Sequence, residues 1–327
     1  MDFDEESTFR LGNRIQRSVQ TAWDNYIRGV CSGLTEAFEP RRGLDMSVTS
    51  DVPLGAGLSS SAALEVATAG AFRAAWQLDL DDERLALLCQ RAENDFVGVQ
   101  CGAMDQLVSA LARADHALLI DCRSLEREHV PLLLDELGVA LVVVDSGLPR
   151  RLEQSDYNRR REECAGALRL LRAELPDRQL AALCDVAVDD FESSSLPEEL
   201  LRRVRHVVTE QKRVECAVGA LGASDIERFG TLMNESHASL RDDFDVSTPE
   251  LDRLVELAQV QWGVMGARLT GAGFGGCTVN LVQEEAVDAF AVDVVERYAN
   301  ETAVTARMLV CRAADGLVCI DWNRHGG

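Results

Sequence analysis

Apolar residues at Trp23, Tyr26, Ile27, Val30, Cys31, Leu34 and Phe38 recur every three to four positions, which predicts an amphipathic helix stopped by Pro40. The period then changes. From Leu44 to Val52, Met46, Val48 and Val52 alternate with Ser47, Thr49 and Asp51, which predicts a half-buried strand. After a glycine-containing break, helical spacing returns at Leu64, Ala67, Ala71, Ala74, Ala75 and Leu78, and the helix is expected to start near Ser61. Another follows over Leu85, Leu88, Cys89, Ala92 and Phe96, with Asp81 or Asp82 as its N-cap. Glu93 falls beside that buried stripe, where solvated acids are uncommon; salt bridging is the plain alternative. A break from Gly98 to Gly102 leads into a further helix marked by Leu107, Val108 and Leu111, with Asp105 in its first turn.

His116–Asp121 and Val139–Asp145 read as strands, and Glu128 to Pro131 falls in an apparent hairpin. Beyond Ser146 the chain turns charged and helical through Arg172. Helices are expected around Glu198–Leu221, Asp225–Leu240 and Pro249–Val260. A glycine cluster, a strand Cys277–Leu281, a helix Glu284–Tyr298 and two closing strands complete the pattern. The fold class is α+β, with a boundary near Ser146 that gives domains 1–146 and 147–327. At 327 residues the chain has room for about two domains.

Net charge narrows the partners. The formal value is −22, and Lys212 is the only lysine. Such a surface repels nucleic acid and anionic membrane, and no apolar run reaches the length of a membrane span. The acidic start, Asp2 to Glu6, is unlike a secretory signal, so a cytoplasmic protein is expected. Ten cysteines occur without a Cys-x-x-Cys pair, which favours free thiols over disulfides or a structural metal. Oligomeric state leaves no mark in the sequence.

Two loops carry the chemistry. In Gly55-Ala56-Gly57-Leu58-Ser59-Ser60-Ser61, two glycines precede three hydroxyls at the start of a helix, where unsatisfied N–H groups and the helix dipole favour an anion such as a polyphosphate. The plain alternative is a serine-capped helix after a glycine turn, but three serines exceed what one cap needs. The loop lacks the Gly-Lys-Ser/Thr ending of a P-loop and the third glycine of the dinucleotide fingerprint. The second loop, Leu269 to Cys277, holds four glycines in six residues. It is expected to pack against the first loop or the mouth of a site, with an interdomain cleft following from the pair.

These loops, together with Cys101-Gly102-Ala103-Met104-Asp105-Gln106, Trp23-Asp24-Asn25-Tyr26, His116 through Glu126, and Glu235-Ser236-His237 running into Leu240 to Asp243, resemble the galactokinase branch of the GHMP small-molecule kinases. The resemblance runs from about Trp23 to the C-terminus. It implies a two-lobed architecture with a ferredoxin-like C-terminal lobe, and with ATP and sugar meeting between the lobes. It implies that Gly55 to Ser61 cradle the triphosphate, that Ser61 and Glu93 hold Mg²⁺, and that Asp105 faces the C1 hydroxyl of galactose as base or orienting charge. By the same resemblance Gly102 and Tyr157 line the sugar pocket, Trp23 and Tyr26 lie near the adenine, and Gly273, Gly275 and Gly276 support the cleft.

The family's Pro-Gly-Arg-Val-Asn strand and Glu-His-Thr-Asp stretch have no counterpart here; Glu128-His129 leads into Val130-Pro131 instead. The N-terminal lobe is therefore expected to be incomplete, through a misassigned start or a natural truncation. Besides galactose phosphorylation, the implied alternatives are a sugar- and ATP-binding regulator without turnover and a kinase for another sugar.

Overall fold

The computed structural model describes residues 5–12, 14–40, 42–148 and 153–320, with side chains from Asp156 onward in the last segment. The residues group into two compact units, Met1–Leu54 with Leu58–Leu132 and Ala313–Gly327, and Gly55–Gly57 with Leu133–Arg312.

The first unit is built on helices α1 (Asp24–Ala37), α2 (Ser60–Trp76), α3 (Asp82–Arg91) and α4 (Met104–Leu111). Their apolar faces meet in one core that includes Val30, Leu34, Val66, Leu85 and Leu107, with Phe72 and Trp76 packed edge to face at 5.0 Å. Asp81 is the N-cap of α3 and accepts from Arg84 N at 2.8 Å. A π-helical turn, Ala92–Val97, extends α3 and closes where Gly98, at φ 88°, donates to Glu93 O. Strands β1 (His116–Ile120) and β2 (Arg127–Pro131) form the antiparallel hairpin, with Leu118 opposite His129.

Two sequence expectations for this unit fail. The alternating run from Leu44 to Val52 is not a strand. It has no ladder partner among the described residues, and Met46 and Val48 are exposed, because alternation alone cannot satisfy backbone N–H and C=O groups. The buried face of α2 is also a different one. Ala67, Ala71 and Ala74 face outward, whereas Ala62, Glu65, Val66, Ala69, Phe72 and Trp76 face inward. Alanine favours helix on either face, so an alanine-rich helix takes its phase from its few large side chains.

In the second unit, β3 (Val139–Asp145), β4 (Val264–Leu269), β5 (Cys277–Gln283) and β6 (Arg307–Cys311) form an antiparallel sheet in the order β4-β5-β3-β6, with Val143 opposite both Val279 and Leu309. Between β3 and β4 run α5 (Glu153–Glu174), α6 (Val188–Glu192), α7 (Glu198–Gly222), α8 (Ile226–Ser239) and α9 (Pro249–Gln259). Between β5 and β6 lie α10 (Val287–Phe290) and α11 (Arg297–Thr302), joined by a π-helical turn, Ala291–Glu296. This is the βαββαβ order of a ferredoxin-like sheet with extra helices in its first crossover. Val142, Val144, Leu254, Phe290 and Tyr298 fill the core under the sheet.

Strand β4 escaped the sequence pattern because two of its six residues, Gly266 and Arg268, break the apolar run. Of the two closing strands expected, β6 is the one present among the described residues. The chain beyond it joins the first unit, where Gly316 N bonds Ala112 O at 2.9 Å and Leu317 packs on Gly70.

Candidate active site

The serine loop is held in an unusual backbone shape. Gly55, Gly57 and Ser59 have φ of 71°, 75° and 56°, so a residue with a side chain sits in the left-handed region immediately before α2. Ser59 occupies the N-cap position yet makes no side-chain capping bond. The serines are thus not serving as ordinary caps. Among the described residues the hydroxyls of Ser59, Ser60 and Ser61 have no hydrogen-bond partner, and they stand at the positive end of a 17-residue helix. Within the second unit, Ala56 is buried and its carbonyl accepts Cys277 Sγ at 2.9 Å. The glycine cluster therefore does pack against this loop.

One turn along α2 from Ser61 stands Glu65, fully buried, and its partner comes from α4. Gln106 Nε2 donates to Glu65 Oε2 at 3.0 Å and to Glu93 Oε2 at 2.7 Å, so one amide ties together α2, the π-helical turn and α4. Neither carboxylate meets a cation among the described residues. Burial first, and the charge of Glu93 second, push the Glu65 carboxyl up to about 8. Burial and the Glu93 charge also push the Cys101 thiol up to about 12, with Cys101 Sγ donating to Glu93 Oε2 at 3.3 Å. Burial, then the charges of Glu93 and Glu65, raise the Tyr26 phenol.

The π-helical turn is what swings Glu93 inward. A wider turn shifts the residues after it around the helix axis, and such turns recur at functional positions. Gly29 lets α1 approach, since a Cβ there would lie 3.2 Å from Ala92 O and from Phe96. The segment leading into α4 is pinned by its backbone: Cys101 N donates to Asn94 Oδ1 at 2.8 Å, and Gln90 Nε2 donates to Cys101 O at 3.0 Å. Asp105 follows in the first turn of α4, next to Gln106, half-buried and without a hydrogen bond or ion pair among the described residues. Gly102 is exposed, with open space where a Cβ would point.

Other candidate residues belong to other elements. Trp23 precedes α1, packs against the first unit's core, and donates Nε1 to Glu5 at 2.6 Å. Tyr157 is exposed on α5 of the second unit. Gly273, Gly275 and Gly276 have φ of 81°, 123° and 82° in the loop joining β4 to β5.

Sequence reading gave no role to Glu65 or Gln106. Glu65 stands four residues after Ser61, on the same helical face, and that spacing was the available signal. Asp24 and Asn25 hold local structure: Asp24 pairs with Arg28 at 2.7 Å, and Asn25 Oδ1 accepts Ser18 N at 2.7 Å.

Among the described residues no group of three or more His, Cys, Asp or Glu side chains converges as a metal cage. The chemistry still suits Mg²⁺, which keeps most of its waters and takes one or two hard oxygen ligands from protein. Ser61 and Glu93 offer those oxygens, and the buried Oε1 of Glu65 and of Gln106 lack hydrogen-bond partners. No helix is long and apolar enough to cross a membrane among the described residues.

Comparison with known proteins places the arrangement in a class. The family description "GHMP kinases N terminal domain" matches residues 25–113, and "GHMP kinases C terminal" matches residues 217–300. The chain is 52% identical over 318 residues to a galactokinase of Roseiflexus sp. (strain RS-1), covering 97% of this chain and 80% of that protein. It is 43% identical over 323 residues to a galactokinase of Actinobacillus succinogenes, covering 97% and 81%. The crystal structure of Lactococcus lactis galactokinase complexed with galactose superposes with a TM-score of 0.84 at 35% identity, over 90% of this chain and 76% of that one. The chain therefore belongs to the galactokinase family of the GHMP kinases.

Proposed function

We propose that the protein transfers the terminal phosphoryl group of ATP to the C1 hydroxyl of galactose, giving galactose 1-phosphate and ADP. The observation that carries this reading is the Gln106 amide joined to both Glu65 and Glu93, because it brings the start of the serine-loop helix, a buried carboxylate and the Asp105 turn into one arrangement.

The backbone N–H groups and hydroxyls of Gly55, Ala56, Gly57, Leu58, Ser59, Ser60 and Ser61 hold the triphosphate at the positive end of α2. Ser61 and Glu93 would hold Mg²⁺, which when bound neutralises charge on the phosphate oxygens. Asp105 orients the attacking hydroxyl and accepts its proton as the oxygen–phosphorus bond forms. Gly102 leaves room for the sugar, and Tyr157 supplies a further sugar contact. Trp23 and Tyr26 serve the base. Gly273, Gly275 and Gly276 support Ala56 through Cys277.

A coupled assay of ADP release tests the proposal. Galactose-dependent release with formation of galactose 1-phosphate is expected. Tight ATP and galactose binding without ADP release would favour a regulator, and release with a different sugar alone would reassign the substrate.

A further inference from the structure

The second unit holds a cluster that the proposed reaction does not use. Arg160 of α5 and Arg203 of α7 are 6% and 1% exposed, and both aim at the turn leaving α8. Arg160 donates Nε to Phe244 O at 2.8 Å and Nη2 to Asp245 O at 2.8 Å and Asp245 Oδ2 at 2.6 Å. Arg203 donates Nη1 to Asp243 O at 2.6 Å and Nε to Glu163 Oε2 at 2.7 Å. Glu163 completes the set by accepting Arg160 Nη1 at 3.0 Å. Two rigid forks of N–H donors thus fix three successive backbone carbonyls, those of residues 243 to 245.

The next carbonyl belongs to Val246, and it accepts Phe274 N at 2.7 Å. Gly273 passes so close that a Cβ would overlap the Val246 carbonyl, and its φ of 81° excludes most other residues. Phe274 is itself left-handed at φ 57°, with its ring centroid 5.9 Å from the Arg160 guanidinium. Where the glycine-rich loop ends, Cys277 reaches Ala56 of the serine loop.

We infer that Arg160 and Arg203 are positioning residues for phosphoryl transfer. They fix the backbone up to Val246, Val246 seats the glycine-rich loop at Gly273 and Phe274, and that loop steadies Ala56. The inference rests on the reading of Gly55–Ser61 as the triphosphate cradle. Arginine is required because a lysine ammonium cannot bridge several carbonyls and a carboxylate in one plane.

The test is steady-state kinetics against ATP on the full chain, with circular dichroism and a thermal melt giving the folded fraction. Arg160→Lys and Arg203→Lys should lower kcat/KM for ATP per folded molecule by about 10- to 100-fold, chiefly by raising KM, since displacement of a positioned loop by about 1 Å has effects of that size. Arg253→Lys, whose pairs with Glu256 and Glu301 lie outside this cluster, should leave the kinetics unchanged. Folded Arg160→Lys and Arg203→Lys proteins with parental KM overturn the inference. If both fail to fold, Glu163→Gln decides: a raised KM for ATP supports the inference, and an unchanged one overturns it. Gly273→Ala separates the two layers, because it forces the loop off Val246 without touching either arginine. Loss in Gly273→Ala with none in Arg160→Lys rejects the arginines alone; no loss in either rejects the role of the loop.

Discussion

In the first unit Glu65 and Glu93 are buried around a single amide, and among the described residues neither meets a cation. In the second, Arg160 and Arg203 are buried as deeply, yet every fork is filled by Glu163, Asp245 or a backbone carbonyl. Burial of charge is thus solved in one region and left unsolved in the other. Paired guanidiniums fix a turn and belong to the scaffold. Carboxylates buried without counter-charge suit a cation, which marks chemistry instead of architecture.

The contrast breaks first at Asp105. If the acidic region performs the chemistry, Asp105→Asn should retain ATP binding and lose about 10²- to 10⁴-fold in turnover, measured by galactose-dependent ADP release; near-parental turnover would remove Asp105 from the reaction. Arg203→Met tests the scaffold side, where stability instead of chemistry should suffer most. Removing one partner of a buried ion pair costs about 3 to 5 kcal/mol, read as a lower urea midpoint, and a variant as stable as the parent would contradict the contrast. Glu93→Gln keeps the shape and removes the charge. It should raise the Mg²⁺ concentration needed for half-maximal rate by about tenfold or more while the melt stays cooperative; an unchanged metal requirement would count against Glu93.

Glu65 carries the contrast into pH dependence. Its folded carboxyl is pushed up to about 8, so the folded state holds the proton more tightly than the unfolded state, whose glutamate titrates near 4.3. The stabilising effect of that proton is complete below the unfolded value and disappears as pH rises through the window to about 8, a change on the order of a few kcal/mol. In chelator, Glu65→Gln should flatten the fall in melting temperature across this window; equal slopes in parent and variant would contradict the assignment. The smallest effect is expected at the surface. Arg253 pairs with Glu301 and Glu256 in solvent, and Arg253→Ala should change stability by less than about 1 kcal/mol.

Local signals predicted much of this. Helix α1, the N-cap of α3 and the strand Val139–Asp145 follow from period and capping chemistry, and Glu93 stood out because an acid beside an apolar stripe is unusual. Non-local facts stayed hidden. The phase of α2 depended on which large side chains found the core, and the run at Leu44–Val52 needed a partner strand that the sequence pattern does not reveal. Glu65 and Gln106 lie 41 positions apart, and no periodicity links them. The π-helical turn that carries Glu93 looks like any other helix at the level of spacing.

In the proposed reaction the serine loop and Glu93 hold the nucleotide's phosphates and its divalent ion. Crystals grown with Mn²⁺ and a non-hydrolysable ATP analogue test it through the anomalous signal of the metal. A peak bonded to Ser61 Oγ and Glu93 Oε1, with the triphosphate along Gly55 to Ser61, is the predicted result. A metal and triphosphate bound away from these residues would contradict it.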